Sequence, residues 1–130
     1  MKEVKLEKSI GKKVNHTIAL AQYYMTQNFQ DPITLDTLAK VSNINKYYLV
    51  HLFKEEVGIT PIRYLNEIRV EEAKILLETT NLTVGEISNI TGFSSQSFFT
   101  QAFKRETNMT PSQFRKLNKP KGKEDRSTLP

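Results

Sequence analysis

The side chains of this chain able to do specific chemistry are hydrogen-bonding and cationic ones set on helices. Gln96, Ser97, Thr100 and Gln101 fall within two turns of one expected helix, with Ser95 just ahead of them. Gln can pair bidentately with adenine in the DNA major groove, Ser and Thr bond to several bases, and the Thr methyl can meet that of thymine. A second set, Asn45, Lys46, Tyr47, Val50 and His51, lies on an earlier expected helix, with Val50 as an apolar reader of thymine methyls. Lys54, Lys104, Arg105 and Arg115 are the candidates for phosphate. A polar helix face is more often simply solvated, so each set alone is weak evidence. Catalysis has less to work with: there is no Cys, and the two His, His16 and His51, stand far apart with no second metal ligand at helical spacing. No enzyme activity, metal or cofactor is expected.

Several elements must position these side chains. Val14, Ile18, Ala21 and Met25 recur at helical spacing, which predicts a helix over 13–28, stopped by Asp31-Pro32. Thr34 can cap a short helix with Leu35, Leu38 and Val41 on its buried face. After a turn over 42–45, Asn45 can cap the helix bearing the earlier polar set. Tyr48, Leu49, Leu52 and Phe53 are its expected inward face, and Gly58 closes it. Thr60-Pro61 opens a long helix ending near Thr79, with Ile62, Leu65, Ile68, Ile75 and Leu76 as its stripe. Thr83 and Glu86 form a capping box before a short helix whose buried face is Val84, Ile87 and Ile90. Gly92-Phe93 makes a turn, Ser94 or Ser95 caps the helix with the later polar set, and Phe98, Phe99, Ala102 and Phe103 face inward. Thr110-Pro111 starts a last helix that packs through Phe114.

The chain repeats itself. Shifted by fifty, Tyr48-Leu49 falls on Phe98-Phe99, Phe53-Lys54 on Phe103-Lys104, Thr60-Pro61 on Thr110-Pro111 and Tyr64 on Phe114. The preceding short helices match at a shift of forty-nine, Leu35 on Val84 and Leu38 on Ile87, so the later turn is one residue longer. Asn108 replaces Gly58, and Asn is the next-best residue for a left-handed backbone.

The charge sits at the ends. Residues 1–13 carry five Lys and two Glu, residues 115–130 six Lys or Arg and two acids, and 14–114 eight bases and ten acids, which makes the net +5. Basic ends suit a nucleic-acid binder and equally a solubilising tail. No apolar run reaches the roughly 18 residues of a membrane span, and the start lacks the apolar core of a signal peptide. A cytoplasmic, nucleoid-associated protein is the expectation, with no membrane partner.

A short helix, a tight turn and a second helix at a steep angle is a helix-turn-helix, whose second helix enters the major groove. Two such units on a rod of nineteen residues, roughly 28 Å at 1.5 Å per residue, can read major grooves about 34 Å apart. Gly92-Phe93, Phe99, Phe103-Lys104, Thr110-Pro111 and Phe114-Arg115 resemble the C-terminal signature of AraC/XylS-type transcription regulators. Ile68-Arg69, Ala73 and Leu76-Leu77 resemble that family's linker-helix pattern. Asn108, Phe114 and Ser88 stand where Gly, Tyr and Ala are usual, and the bulky Arg or Gln of some members is missing at Val50 and His51.

The resemblance covers residues 33–116 and implies an all-α, homeodomain-like domain of about seven helices, with two helix-turn-helix subdomains joined by a linker helix. The expected layout is a lead-in at 1–12, subdomains at 13–59 and 81–118, a linker over 60–80 and a disordered basic tail at 119–130. It further implies double-stranded DNA as partner, base contacts by Tyr47, Val50 and His51 and by Gln96, Ser97, Thr100 and Gln101, and control of transcription. A sensing or dimerisation domain outside this chain is usual in the family. The competing expectation is a helical protein-interaction adaptor on the same scaffold, for instance one contacting RNA polymerase.

Overall fold

The computed structural model describes residues 16–118, so the lead-in, the start of the first helix at 13–15 and the tail at 119–130 lie outside the described residues. Among the described residues there are seven helices and no strand. They are α1 (16–28), α2 (Leu35–Ser42), α3 (Lys46–Val57), α4 (Pro61–Thr79), α5 (Val84–Ile90), α6 (Gln96–Thr107) and α7 (Pro111–Asn118). The chain divides within α4 into two compact units, one up to Leu65 and one from Asn66 on.

In the first unit the helix boundaries are set by caps. Thr34 Oγ1 accepts from the Thr37 amide at 3.2 Å, and the Thr37 hydroxyl accepts from the Thr34 amide at 3.3 Å. Asn43, in the left-handed region at φ 57, stops α2. Asn45 Oδ1 then accepts from the Tyr47 amide at 2.8 Å and the Tyr48 amide at 3.3 Å, which fixes the start of α3. Leu38, Leu49, Leu52, Phe53 and Leu65 are buried, as are Ile18, Ala21 and Met25 along one face of α1. The Phe53 ring meets Tyr64 edge-on at 5.3 Å.

The second unit repeats the plan with its own caps. Thr83 Oγ1 accepts from the Glu86 amide at 3.0 Å and the Glu86 carboxylate accepts from the Thr83 amide at 2.8 Å, the capping box expected from sequence. Gly92 at φ 96 makes the turn, and Ser95 rather than Ser94 caps α6, accepting from the Phe98 amide at 3.0 Å. Asn108 takes the left-handed conformation that Gly58 takes in the first unit, at φ 64 against 97. Phe93, Phe99, Phe103 and Phe114 join in a run of ring contacts of 5.0, 5.7 and 5.4 Å, packed with Val70, Ala73, Leu77 and Ile87.

The linker helix is therefore part of both units. Its opening residues Pro61 and Tyr64 correspond to Pro111 and Phe114 of α7. Its buried residues Val70, Ala73 and Leu77 have the same spacing as Ile18, Ala21 and Met25 of α1, at a shift of fifty-two. So α4 closes the first unit and opens the second.

Four residues expected inside lie outside. Tyr48, Ile75, Ile90 and Phe98 are 51%, 52%, 39% and 38% exposed. The buried stripe of α4 runs through Leu65, Arg69, Val70, Ala73 and Leu77, which turns Ile75 to the far side. Tyr48 and Phe98 occupy matching places in the first turn of α3 and α6. The buried contacts begin one residue later, at Leu49 and Phe99.

Candidate nucleic-acid interface

Each unit presents the same array of positions on the second helix of its helix-turn-helix. In α3 these are Lys46, Tyr47, Val50, His51 and Lys54; in α6, shifted by fifty, Gln96, Ser97, Thr100, Gln101 and Lys104. The spacing i, i+1, i+4, i+5, i+8 follows one side of a helix for two turns. Tyr47, His51 and Lys54 are exposed and Lys46 and Val50 half-buried; Gln96, Ser97, Gln101 and Lys104 are exposed and Thr100 half-buried.

The two faces differ in shape and chemistry. The α3 residues form one wall of an open groove of about 1030 Å³, with Ile33, Leu35 and Ile62 supplying apolar lining. Tyr47 is 77% exposed. Lys46 Nζ lies 5.8 Å from the Tyr47 ring centroid and 3.3 Å from Asp36 Oδ1. On the second unit the depression beside the start of α6 is about 480 Å³ and is lined mainly by polar residues, Ser88, Asn89, Ser94 and Ser95 among them.

Three candidate residues have structural duties. Asn45 and Ser95, expected to meet bases, are the caps of α3 and α6, and their side-chain oxygens are engaged by backbone amides. Arg115, expected to meet phosphate, turns inward: Nε donates to the Leu77 carbonyl at 3.2 Å and Nη2 to the Thr80 carbonyl at 3.1 Å. It thus satisfies carbonyls at the C-terminal end of α4, where a cation is also favoured by the helix dipole. Desolvation by partial burial lowers its pKa from the ordinary arginine value. Arg105 keeps an outward position, with Nε 3.5 Å from Glu106 Oε2.

Sequence reading missed two contributors, Asp36 on α2 and Gly85 on α5. Asp36 pairs with Lys46. Gly85 has the amide end of Gln96 lying against it. The two stand at matching places of their units, at a shift of forty-nine. Ser88 also does more than fill the place of a smaller residue: its hydroxyl donates to the Ser95 carbonyl at 3.2 Å, across the turn.

A family model described as a helix-turn-helix domain matches residues 38–117. The chain is 33% identical over 102 residues to the bifunctional transcriptional activator/DNA repair enzyme AdaA of Bacillus subtilis, a match covering 78% of this chain and 48% of that protein. The C-terminal domain of AraT, a response regulator from Geobacillus stearothermophilus, is similar with a TM-score of 0.76 and 32% identity, over 80% of this chain and 87% of that one. A transcriptional regulator from Chromobacterium violaceum, described by its AraC-type DNA-binding domain, gives 0.73 and 28%, over 80% and 93%. The chain spans less than half the length of the curated relatives it matches, from 34% to 48% for the first of them.

Proposed function

The chain belongs to the AraC/XylS-type helix-turn-helix regulators, DNA-binding proteins that control transcription, and from that premise we propose that both of its units read bases. In this reading α3 lies in one major groove through Lys46, Tyr47, Val50 and His51. The next groove takes α6, through Gln96, Ser97, Thr100 and Gln101. Lys54 and Lys104, in the last turns, meet phosphate, as does the outward Arg105. The observation that carries the proposal is the recurrence of one five-position array on α3 and α6, the second helix of each helix-turn-helix. The array sits where helix-turn-helix proteins place their base contacts.

The role assigned to this chain is DNA binding alone. Whatever repair chemistry AdaA's name implies belongs to that protein as a whole. Among the described residues, no group of three His, Cys, Asp or Glu can hold a metal ion, and no helix is long and apolar enough to cross a membrane. The place of action is the cytoplasmic nucleoid.

A gel-shift titration against a library of genomic fragments tests specificity. Tight and loose sites differing by less than about tenfold at physiological salt would remove it. Footprinting on a tight site tests the two-groove reading, which expects two protected stretches about 10 base pairs apart; one stretch alone defeats it. Gln101→Ala should relax preference at one base pair by about 1–3 kcal/mol, whereas Lys104→Ala should weaken all sequences alike and flatten the salt slope by about one. An adaptor using this scaffold for protein contacts would keep its DNA affinity when Lys54 and Lys104 are reversed in charge.

A further inference from the structure

In each unit the residue that opens the recognition helix lies against the helix before it, Lys46 by an ion pair and Gln96 by close approach to bare backbone. Lys46 opens α3, and its Nζ lies 3.3 Å from Asp36 Oδ1 on α2. Gln96 opens α6 in the matching position, and at the place matching Asp36 stands Gly85 on α5. A Cβ added to Gly85 would sit 3.0 Å from Gln96 Oε1 and 3.9 Å from Gln96 Cδ. The amide end of Gln96 therefore lies over bare backbone of α5.

Nothing in the backbone asks for glycine here. The glycines with positive φ among the described residues are Gly58 and Gly92, and Gly85 is in the first turn of a helix. Glycine inside a helix is less favourable than alanine, so a position that carries it without a conformational need points to a need for space. The neighbour that uses the space is the far end of a flexible side chain. A methyl group at 85 is accommodated by moving the Gln96 amide, not by moving α5.

We propose that Gly85 is a positioning residue for base recognition: its missing Cβ sets the direction in which Gln96 presents its amide, as Asp36 sets that of Lys46 by charge. This deepens the base-reading role assigned to α3 and α6 above and rests on it. The consequence is a specificity determinant that touches no DNA. Replacing the smallest side chain on α5 changes which base Gln96 prefers. Removing the carboxylate on α2 frees a cation for phosphate instead.

The test selects preferred sites from randomised duplexes at one salt concentration, using the full chain, Gly85→Ala, Gln96→Ala and the double variant, with a thermal melt of each. Gly85→Ala is expected to melt at or above the parent temperature. It should change discrimination at one base pair by about fivefold, at the same base pair that Gln96→Ala flattens, and should have no effect in the Gln96→Ala background. An unchanged preference in Gly85→Ala overturns the proposal, as does a change that persists without Gln96. If Gly85→Ala melts lower, the chemical shifts of the Gln96 side-chain amide in the parent and in Gly85→Ala decide: a clear change supports the contact and unchanged shifts overturn it. Asp36→Ala should raise affinity for all sequences about twofold and steepen the salt dependence; no change removes the first-unit half. A parent chain that selects no sequence fails earlier, at base reading itself, and takes the proposal with it.

Discussion

At the centre of the second unit Phe99 and Phe103 stand in a run of rings with Phe93 on one side and Phe114 on the other. At the matching places the first unit has Leu49, Phe53, Ile44 and Tyr64, with Phe53 and Tyr64 in ring contact and aliphatic residues at the other two. Yet the caps recur position for position, with Asn45 answering Ser95 and Gly58 answering Asn108. So do the buried triplets of α1 and α4. The comparison separates two layers of encoding. Where helices begin and end depends on backbone chemistry that few residues can supply. What fills the space between them is a matter of volume, and aliphatic and aromatic solutions both serve.

The sharpest way to break that comparison is at its shared ring. Phe103 packs between two rings, 5.7 Å from Phe99 and 5.4 Å from Phe114, whereas Phe53 meets Tyr64 at 5.3 Å and has Leu49 at the place of Phe99. Truncating a buried Phe costs about 3–5 kcal/mol, and each ring pair adds about 0.5–1.5 kcal/mol beyond its buried area. Phe103→Ala should therefore cost about 1 kcal/mol more than Phe53→Ala in urea unfolding followed by hydrogen exchange in each unit. An equal or larger cost for Phe53→Ala would mean that the ring run adds nothing the aliphatic core lacks.

A smaller effect distinguishes the units at their last helices. Arg115 joins α7 to the end of α4 through the Leu77 and Thr80 carbonyls; the matching residue of the first unit is Leu65, which is buried and makes no such link. Hydrogen bonds from a charged donor are worth about 1.5–3 kcal/mol, and partial exposure places this pair near the lower end. Arg115→Ala should cost about 2 kcal/mol, with protection lost in α7 and the end of α4 and kept in α2 and α3. Arg115→Lys should recover little, since an ammonium cannot reproduce the planar fork. A normal stability together with a flattened salt slope of DNA binding would return Arg115 to the phosphate role expected from sequence.

These residues show what the sequence makes legible. Caps were readable because Thr34, Asn45, Thr83 and Thr110 announce themselves by their own type and by the residues just after them. The repeat was readable because Phe-Lys and Thr-Pro recur at one shift. Inward and outward faces were readable in the middle of helices and failed near their ends and on α4. Tyr48, Phe98 and Ile90 lie at the ends of their helices, where neighbours cover an apolar residue only in part, as the edge-on Phe93 ring at 5.9 Å does for Phe98. Ile75 fits a helical stripe as well as Leu77 does, and only packing decides between them. Arg115 and Gly85 were illegible for a different reason. Each acts on a side chain or carbonyl brought near by tertiary folding, and no local pattern reports that.

The smallest expected effect tests whether the two turns are equally well made. Thr91 and Ser42 match at a shift of forty-nine and are both buried. The Thr91 hydroxyl donates to the Ile87 carbonyl at 2.7 Å, while Ser42 Oγ has no hydrogen-bond partner. A buried hydroxyl left unpaired costs about 1–3 kcal/mol, and a satisfied one contributes about 0.5–1.5 kcal/mol. Ser42→Ala should then stabilise the first unit by about 1 kcal/mol, helped by the higher helix propensity of Ala, and Thr91→Val should destabilise the second by about 1 kcal/mol. Both substitutions remove a buried hydroxyl from equivalent places, so the partner that Thr91 has and Ser42 lacks is the main source of the opposite signs, with helix propensity adding to the gain at Ser42. If both destabilise, Ser42 Oγ has a partner in solution, and the first turn is as well satisfied as the second.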